Sequence, residues 1–385
     1  MKVAYVVPRY GVEVLGGAEY GARMLAERLV SFLGWDVEVL TTCALDARTW
    51  ADEYAEGEVA INGVRVRRFR SAAGRAPDFE TFSRTVLPHP EAADPETCRR
   101  WIELQGPVTP AMIEAAAGGD ADLVVFYPYL YYPTVHGVPA VGERAVMHPA
   151  AHDEPPLRLP IFRDVFAATR GFVFQTYGER DLVERLFPVA HRAHVVMGLG
   201  VEEEAGDSDA PAVPERPYLL CLGRVDDGKG AGMLARYFAE YKARRPGPLQ
   251  LVFAGPVAQR PPDHPDIVLL GPVDEDVKWG LLRRAVALVN PSYFEAFSIV
   301  LMEAWTAGLP VLVNGACLAT REHCERSGGG LWFTGYAGFE AVVDRLTADA
   351  GARSALARQG RAYVDANFRW PVILDRYRDF LESLA

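Results

Sequence analysis

The chain has 385 residues, half of them hydrophobic and 24% charged, which is enough for two globular domains and excludes a disordered polymer. A formal net charge of −11 excludes broad attraction to nucleic acid, and no run of 18 apolar residues is available to span a membrane. Five scattered cysteines without a C-x-x-C pair fit a reducing compartment, and residues 1–8 lack the apolar length of a signal peptide, so the cytoplasm is the expected location.

A strand over residues 3–7 opens the chain, followed by a loop that carries Gly16-Gly17-Ala18-Glu19. The helix after it shows Ala22, Leu25, Ala26, Leu29 and Leu33 on one face, and Gly34 is placed to end it. Residues 36–40 alternate as a half-buried strand does, and further strands are predicted at 64–69, 122–127, 144–148, 171–175 and 194–197. Helical stretches such as 179–187 fall between several of them, which predicts a parallel sheet covered on both faces. Arg65, Arg67, Arg68 and Arg70 read as the outward face of a strand, with an anionic acceptor or a membrane surface as the alternative. Residues 71–119 are the least regular. They read as an elaborated loop with one or two short helices, or else as an acceptor-recognition insertion in which Trp101 contacts the ligand.

The pattern restarts after a polar stretch, 202–214, which has the composition of a linker. Strands are predicted at 218–222, 249–254, 267–270, 286–290 and 310–313, and residues 372–384 form an amphipathic helix. The fold class is therefore α/β, with two Rossmann-like, doubly wound parallel-sheet domains over residues 1–200 and 201–370 facing across a cleft.

Two motifs in the second half carry the chemistry. Gly223-Arg224 and Lys229-Gly230 place a planar guanidinium and a compact ammonium beside flexible backbone, a set suited to a diphosphate. Glu295-Ala296-Phe297-Ser298-Ile299 with Glu303 places two carboxylates around a helix start, suited to sugar and ribose hydroxyls. Eight residues at 100° each leave the glutamates about 80° apart, so both face one side only if Glu295 sits in the preceding loop. Backbone N–H groups of Phe297, Ser298 and Ile299 would then be open to an anion. Gly16 and Gly17 allow backbone to approach a ligand at a helix start, although their spacing does not form a dinucleotide fingerprint; a plain turn is the alternative. His148 ends a strand, and His152 follows in the same polar cluster with Asp153 and Glu154. Prolines 149, 155 and 156 argue against a helical zinc site there, so a structural hydrogen bond is the competing reading for either histidine. No D-x-D appears in a context that suggests a metal-held diphosphate, and Asp207-Ser208-Asp209 lies in the polar stretch, so neither a metal nor a cofactor is expected.

The segment Ser292–Val311, with its E-x7-E spacing, resembles the signature of retaining GT-B glycosyltransferases of family 4, and the resemblance extends to Gly223-Arg224…Lys229-Gly230 and to Gly16-Gly17. It implies that Glu295 contacts the donor sugar, that Glu303 clasps the ribose, that the Gly16-Gly17 loop meets donor phosphate and acceptor, and that His148 helps organise the reacting centre. It also implies that helix 371–385 packs back on the first domain. Front-face transfer with retention follows from the resemblance as well, with the leaving phosphate accepting the acceptor's proton. The expected partners are a UDP- or GDP-sugar and a hydroxyl acceptor, whether saccharide, lipid-linked sugar or small molecule. Cell-surface polysaccharide and secondary-metabolite synthesis both fit, and a lipid-linked acceptor would bring peripheral contact with the inner membrane face. A nucleotide-sugar epimerase, a sugar phosphorylase and a non-catalytic nucleotide-binding regulator remain as alternatives; oligomeric state is not readable.

Overall fold

Runs free of charge, such as Leu123–Phe126 and Ala287–Asn290, have no polar face to give to water and become strands buried on both sides. The computed structural model describes residues 1–14, 16–202 and 214–385. Leu15 and residues 203–213, which include Asp207, Asp209 and most of the stretch read as a linker, lie outside the described residues. The chain divides into two compact units: residues 1–197 with 374–385, and residues 198–373.

In unit 1 the strands are β1 (Lys2–Val6), β2 (Asp36–Thr42), β3 (Gly57–Ile61), β4 (Val64–Phe69), β5 (Leu123–Phe126), β6 (Ala145–Met147), β7 (Gly171–Phe174) and β8 (Ala193–Val196). They form one sheet in the order β3-β4-β2-β1-β5-β6-β7-β8, parallel except for the β3–β4 hairpin. That hairpin was not expected, yet its signal is plain in hindsight. Asn62-Gly63 both adopt positive φ, 48° and 84°, and this dipeptide is the strongest short hairpin signal. The arginine face of β4 is engaged: Arg65 and Arg67 lie 3.6 and 3.4 Å from the Glu38 carboxylate on β2, and Arg68 stacks 3.7 Å from the Tyr54 ring centroid.

The reading of residues 71–119 as an elaborated loop with one or two short helices is corrected to three packed helices. Helices Phe79–Val86, Pro95–Gln105 and Pro110–Gly118 occupy it, and Phe79, Trp101, Ile102 and Met112 enter the core of unit 1. Three helices whose apolar residues fill one core need no ligand to explain them.

Unit 2 holds β9 (Tyr218–Leu222), β10 (Gln250–Ala254), β11 (Ile267–Gly271), β12 (Ala287–Asn290), β13 (Val311–Asn314) and β14 (Gly330–Phe333). Their order is β11-β10-β9-β12-β13-β14, with every neighbouring pair parallel. Strand order reverses between β9 and β12. Sheets of this kind bind ligands outside the carboxyl ends of the strands at that reversal. The loops leaving β9 and β12 carry the two motifs.

Candidate functional site

Beyond Leu222 the chain turns at Gly223, φ 120°, and reaches the helix Ala231–Arg244 through Gly230, φ 77°. A Cβ at Gly230 would stand 2.4 Å from the Pro291 carbonyl oxygen, so glycine is what allows the β9 loop to touch the β12 loop. Asp226 organises the first loop. One oxygen accepts the Lys229 backbone N–H at 2.8 Å, and the other takes the Arg224 Nε–H. Burial works against this carboxylate, but Arg224 and the Lys229 N–H outweigh it and hold its pKa below the usual range.

The second loop is braced from behind. Asn290 accepts the Ser292 N–H through Oδ1 at 3.0 Å and donates through Nδ2 to Ser298 Oγ at 2.9 Å. Ser298 takes φ 72°, a left-handed conformation costly for a residue with a Cβ, at the cap of the helix Ile299–Thr306. Phe297 is buried edge-on against Phe368 and His323, both centroids 5.1 Å away, so it anchors the loop and offers a ligand only its backbone. Glu295 stands in the loop before the helix, with Ala296 and Ile299 half-buried beside it.

The two motifs meet. Lys229 Nζ donates to Glu295 Oε1 at 2.8 Å, across 66 residues of sequence. The Lys229 side chain remains 37% exposed and that of Arg224 59%, so each cation retains donors for an incoming anion. Glu303, by contrast, is nearly enclosed and accepts from Lys278 Nζ at 2.8 Å. Lys278 comes from the helix Glu275–Arg284, and sequence reasoning missed it because nothing in its local spelling points 25 residues ahead. Asn290 was missed as well, though it sits beside a motif, whereas Asp226 is one of the carboxylates that the sequence offers to these cations.

In unit 1, Gly16 precedes the helix Gly17–Leu33. A Cβ there would lie 2.1 Å from Glu19 Oε2, so the residue must be glycine for Glu19 to receive the Arg9 guanidinium; Gly17 has open space around it. His148 follows β6 with its ring 1% exposed, stacked on Tyr127 at 4.8 Å and 2.9 Å from Tyr377 Oη through Nε2. Tyr5 donates to Tyr377 at 2.8 Å, which leaves the Tyr377 proton for His148 Nε2 and the other ring nitrogen protonated. Burial lowers the His148 pKa to about 3, so the ring is neutral.

His152 is partly exposed and lies 3.6 Å from Glu154. The turn between the two histidines contains Ala150 at φ 51° and is pinned by buried Glu179, which accepts the Ala151 and Gln175 N–H groups at 2.7 and 2.6 Å. The expectation that Trp101 contacts sugar or acceptor is corrected: the ring is 2% exposed, packs on Phe79 and donates to Ser83 Oγ at 3.1 Å. Among the described residues, no group of three His, Cys, Asp or Glu is placed to hold a metal ion, and no helix is long and apolar enough to cross a membrane.

Residues 216–349 match the family model described as Glycosyl transferases group 1. A D-inositol 3-phosphate glycosyltransferase of Salinispora arenicola is 29% identical, over 62% of this chain and 60% of its own length. One from Catenulispora acidiphila is 28% identical, over 84% of this chain and 88% of its own. Among solved structures, sucrose-phosphate synthase of Thermosynechococcus elongatus superposes with a TM-score of 0.72 at 17% identity, covering all of this chain and 99% of that one. HepE of Anabaena, in complex with UDP and glucose, superposes at 0.69 and 14% identity over the whole of both chains.

Proposed function

Because residues 216–349 match the Glycosyl transferases group 1 model and the chain has the two-sheet GT-B fold, we propose that it transfers a sugar from a nucleoside-diphosphate sugar to a hydroxyl acceptor with retention of configuration. The observation that carries the reading is the Lys229–Glu295 contact at the reversal of the unit 2 sheet. It brings the phosphate-type cations and the sugar-type carboxylate to one place. UDP is the first donor base to test, since a neighbour of the same fold is described with UDP and glucose bound. A small phosphorylated polyol is the first acceptor to test, following the names of the sequence relatives.

In this reading Arg224 and Lys229 take the diphosphate. As the anomeric bond breaks, negative charge grows on the leaving phosphate oxygen, and preformed cations there lower the barrier most. Glu295 fixes the Lys229 ammonium and accepts from a sugar hydroxyl. Glu303 accepts from the ribose. In unit 1, Gly16, Gly17 and the neutral His148 are the residues to vary when product formation is assayed. The cations supply the charge a metal would otherwise bring, so EDTA leaves the rate unchanged.

The test is product formation from UDP-, GDP- and ADP-sugars with an acceptor panel, the anomeric configuration being read by NMR. Lys229→Ala lowers kcat by about 10²- to 10³-fold while the protein stays folded. An epimerase would alter the donor with no acceptor present, and a phosphorylase would require inorganic phosphate. Equal rates for Lys229→Ala and the parent protein would end this reading.

A further inference from the structure

Glu303 has an unusual predicament for a residue offered to a neutral diol. Its side chain is 13% exposed, and burial pushes its pKa up against the pull of Lys278. A protonated carboxyl keeps one good acceptor oxygen and turns the other into a donor, which spoils it for accepting two vicinal hydroxyls at once. Lys278 is the group that prevents this. Its ammonium engages Oε1 of Glu303 at 2.8 Å, reaches Glu275 on its own helix at 2.7 Å, and lies 5.6 Å from the Trp279 ring centroid. Among the described residues, the charged groups that act on this carboxylate are Lys278, which faces it directly, and Glu275, which stands behind the lysine.

The helix that carries Lys278 is fixed independently. Asp274 caps it by accepting the Val277 N–H at 2.8 Å, and Trp279, Leu281 and Leu282 bury its inner face. The lysine head therefore arrives from rigid structure, and a side chain only 17% exposed has little freedom to leave.

We infer that Lys278 is a positioning residue for the nucleoside: it holds Oε1 of Glu303 as an anion and leaves Oε2 to the vicinal hydroxyls of the donor's ribose. This rests on the proposed donor role of Glu303. It goes beyond that role by placing selectivity for ribose over deoxyribose in a lysine outside both motifs, and by tying donor affinity to pH.

The experiment is calorimetric titration with whichever of UDP, GDP and ADP binds tightest, and with its 2′-deoxy form, at about pH 6, 7.5 and 9. Lys278→Met should weaken binding about ten- to a hundredfold, with the loss largest at the acid end and smaller as pH rises. Lys278→Arg, which keeps the charge, should bind within about threefold of the parent at all three pH values. Lys278→Gln carries the same expectation as Lys278→Met and serves if the methionine variant does not fold. Glu303→Gln should bind weakly at every pH and lose the preference for ribose. A Lys278→Met or Lys278→Gln loss that is the same at every pH, or no loss at all, overturns the inference while Glu303→Gln still reports on the donor reading. If Glu303→Gln binds as the parent does, the donor role of Glu303 falls first and the inference with it.

Discussion

The two units solve the same problem, what to place beyond the ends of parallel strands, with opposite chemistry. Unit 2 sets out charge: Arg224 on Asp226, Lys229 on Glu295, Lys278 on Glu303. Beyond β6, unit 1 sets out a neutral chain, Tyr5 to Tyr377 to His148, sealed by Tyr127. Each unit also buries one histidine against a tyrosine hydroxyl, His148 with Tyr377 at 2.9 Å and His323 with Tyr363 at 3.2 Å. Their settings differ: His323 backs onto Phe297, inside the motif, whereas Tyr377 lies 229 residues from His148. Charge at short spacing can be read from a sequence, but a neutral contact across that distance cannot.

The largest expected effect tests the aromatic core of unit 1, the layer in which Trp101 packs on Phe79. If that layer is architecture, Trp101→Ala costs about 3–5 kcal/mol of stability, because it empties a fully packed site and strands the Ser83 hydroxyl. Rates per folded molecule and the KM for donor should not move. Chemical denaturation and kinetics on the same preparation check both halves. A changed acceptor KM with unchanged stability would return Trp101 to the site and erase the contrast.

What could be read in advance follows the same division. Strand positions emerged wherever apolar runs were bounded by glycine or proline, and β4 and β9 fall at their expected residues. The E-x7-E segment, with Glu295 before the helix and Glu303 in its second turn, lies where its spacing places it. The helices of residues 79–118 were under-read, as one or two rather than three, because Pro90, Pro95 and Pro110 look like loop punctuation, while two of them stand at helix starts, where proline costs no hydrogen bond. Lys278 escaped because a lysine on a surface-like helix announces nothing until Glu303 folds against it. Glu179 escaped for the same reason: its partners are backbone N–H groups, which every residue has.

A smaller effect tests a charged pair of unit 1, Arg9 with Glu19. Gly16→Ala sets a methyl group 2.1 Å from Glu19 Oε2 and 3.0 Å from Arg9 Nη2, so the Arg9–Glu19 contact must open. The expected loss is about 1–3 kcal/mol. Gly17→Ala, with open space around it, is the control and should cost little. Equal losses for the two would show that the loop is already loose and that Gly16 carries no packing duty.

The smallest expected effect separates the histidines from the carboxylates by pH. Burial depresses both rings to about 3 in the folded state, against about 6.5 for the exposed side chain. Above that value neither state binds the proton. Below it the unfolded chain takes up a proton the folded chain refuses, so stability falls as pH falls, by at most about 1.4 kcal/mol per pH unit for each ring, until the folded pKa is reached. The raw curve is not the quantity to read, because burial also raises Glu179 to about 8. That carboxyl holds a proton in the fold which the unfolded chain releases, so its contribution runs the other way between about pH 4.5 and 8. The difference between variant and parent isolates the rings. His148→Leu and His323→Leu both lower stability at neutral pH, yet each should flatten the dependence between about pH 6.5 and 5 by close to one proton. Urea unfolding at several pH values measures that slope. A variant as steep as the parent would mean that its histidine accepts a proton in the folded state, and for His148 that outcome would turn the neutral donor assigned to unit 1 into a charged one.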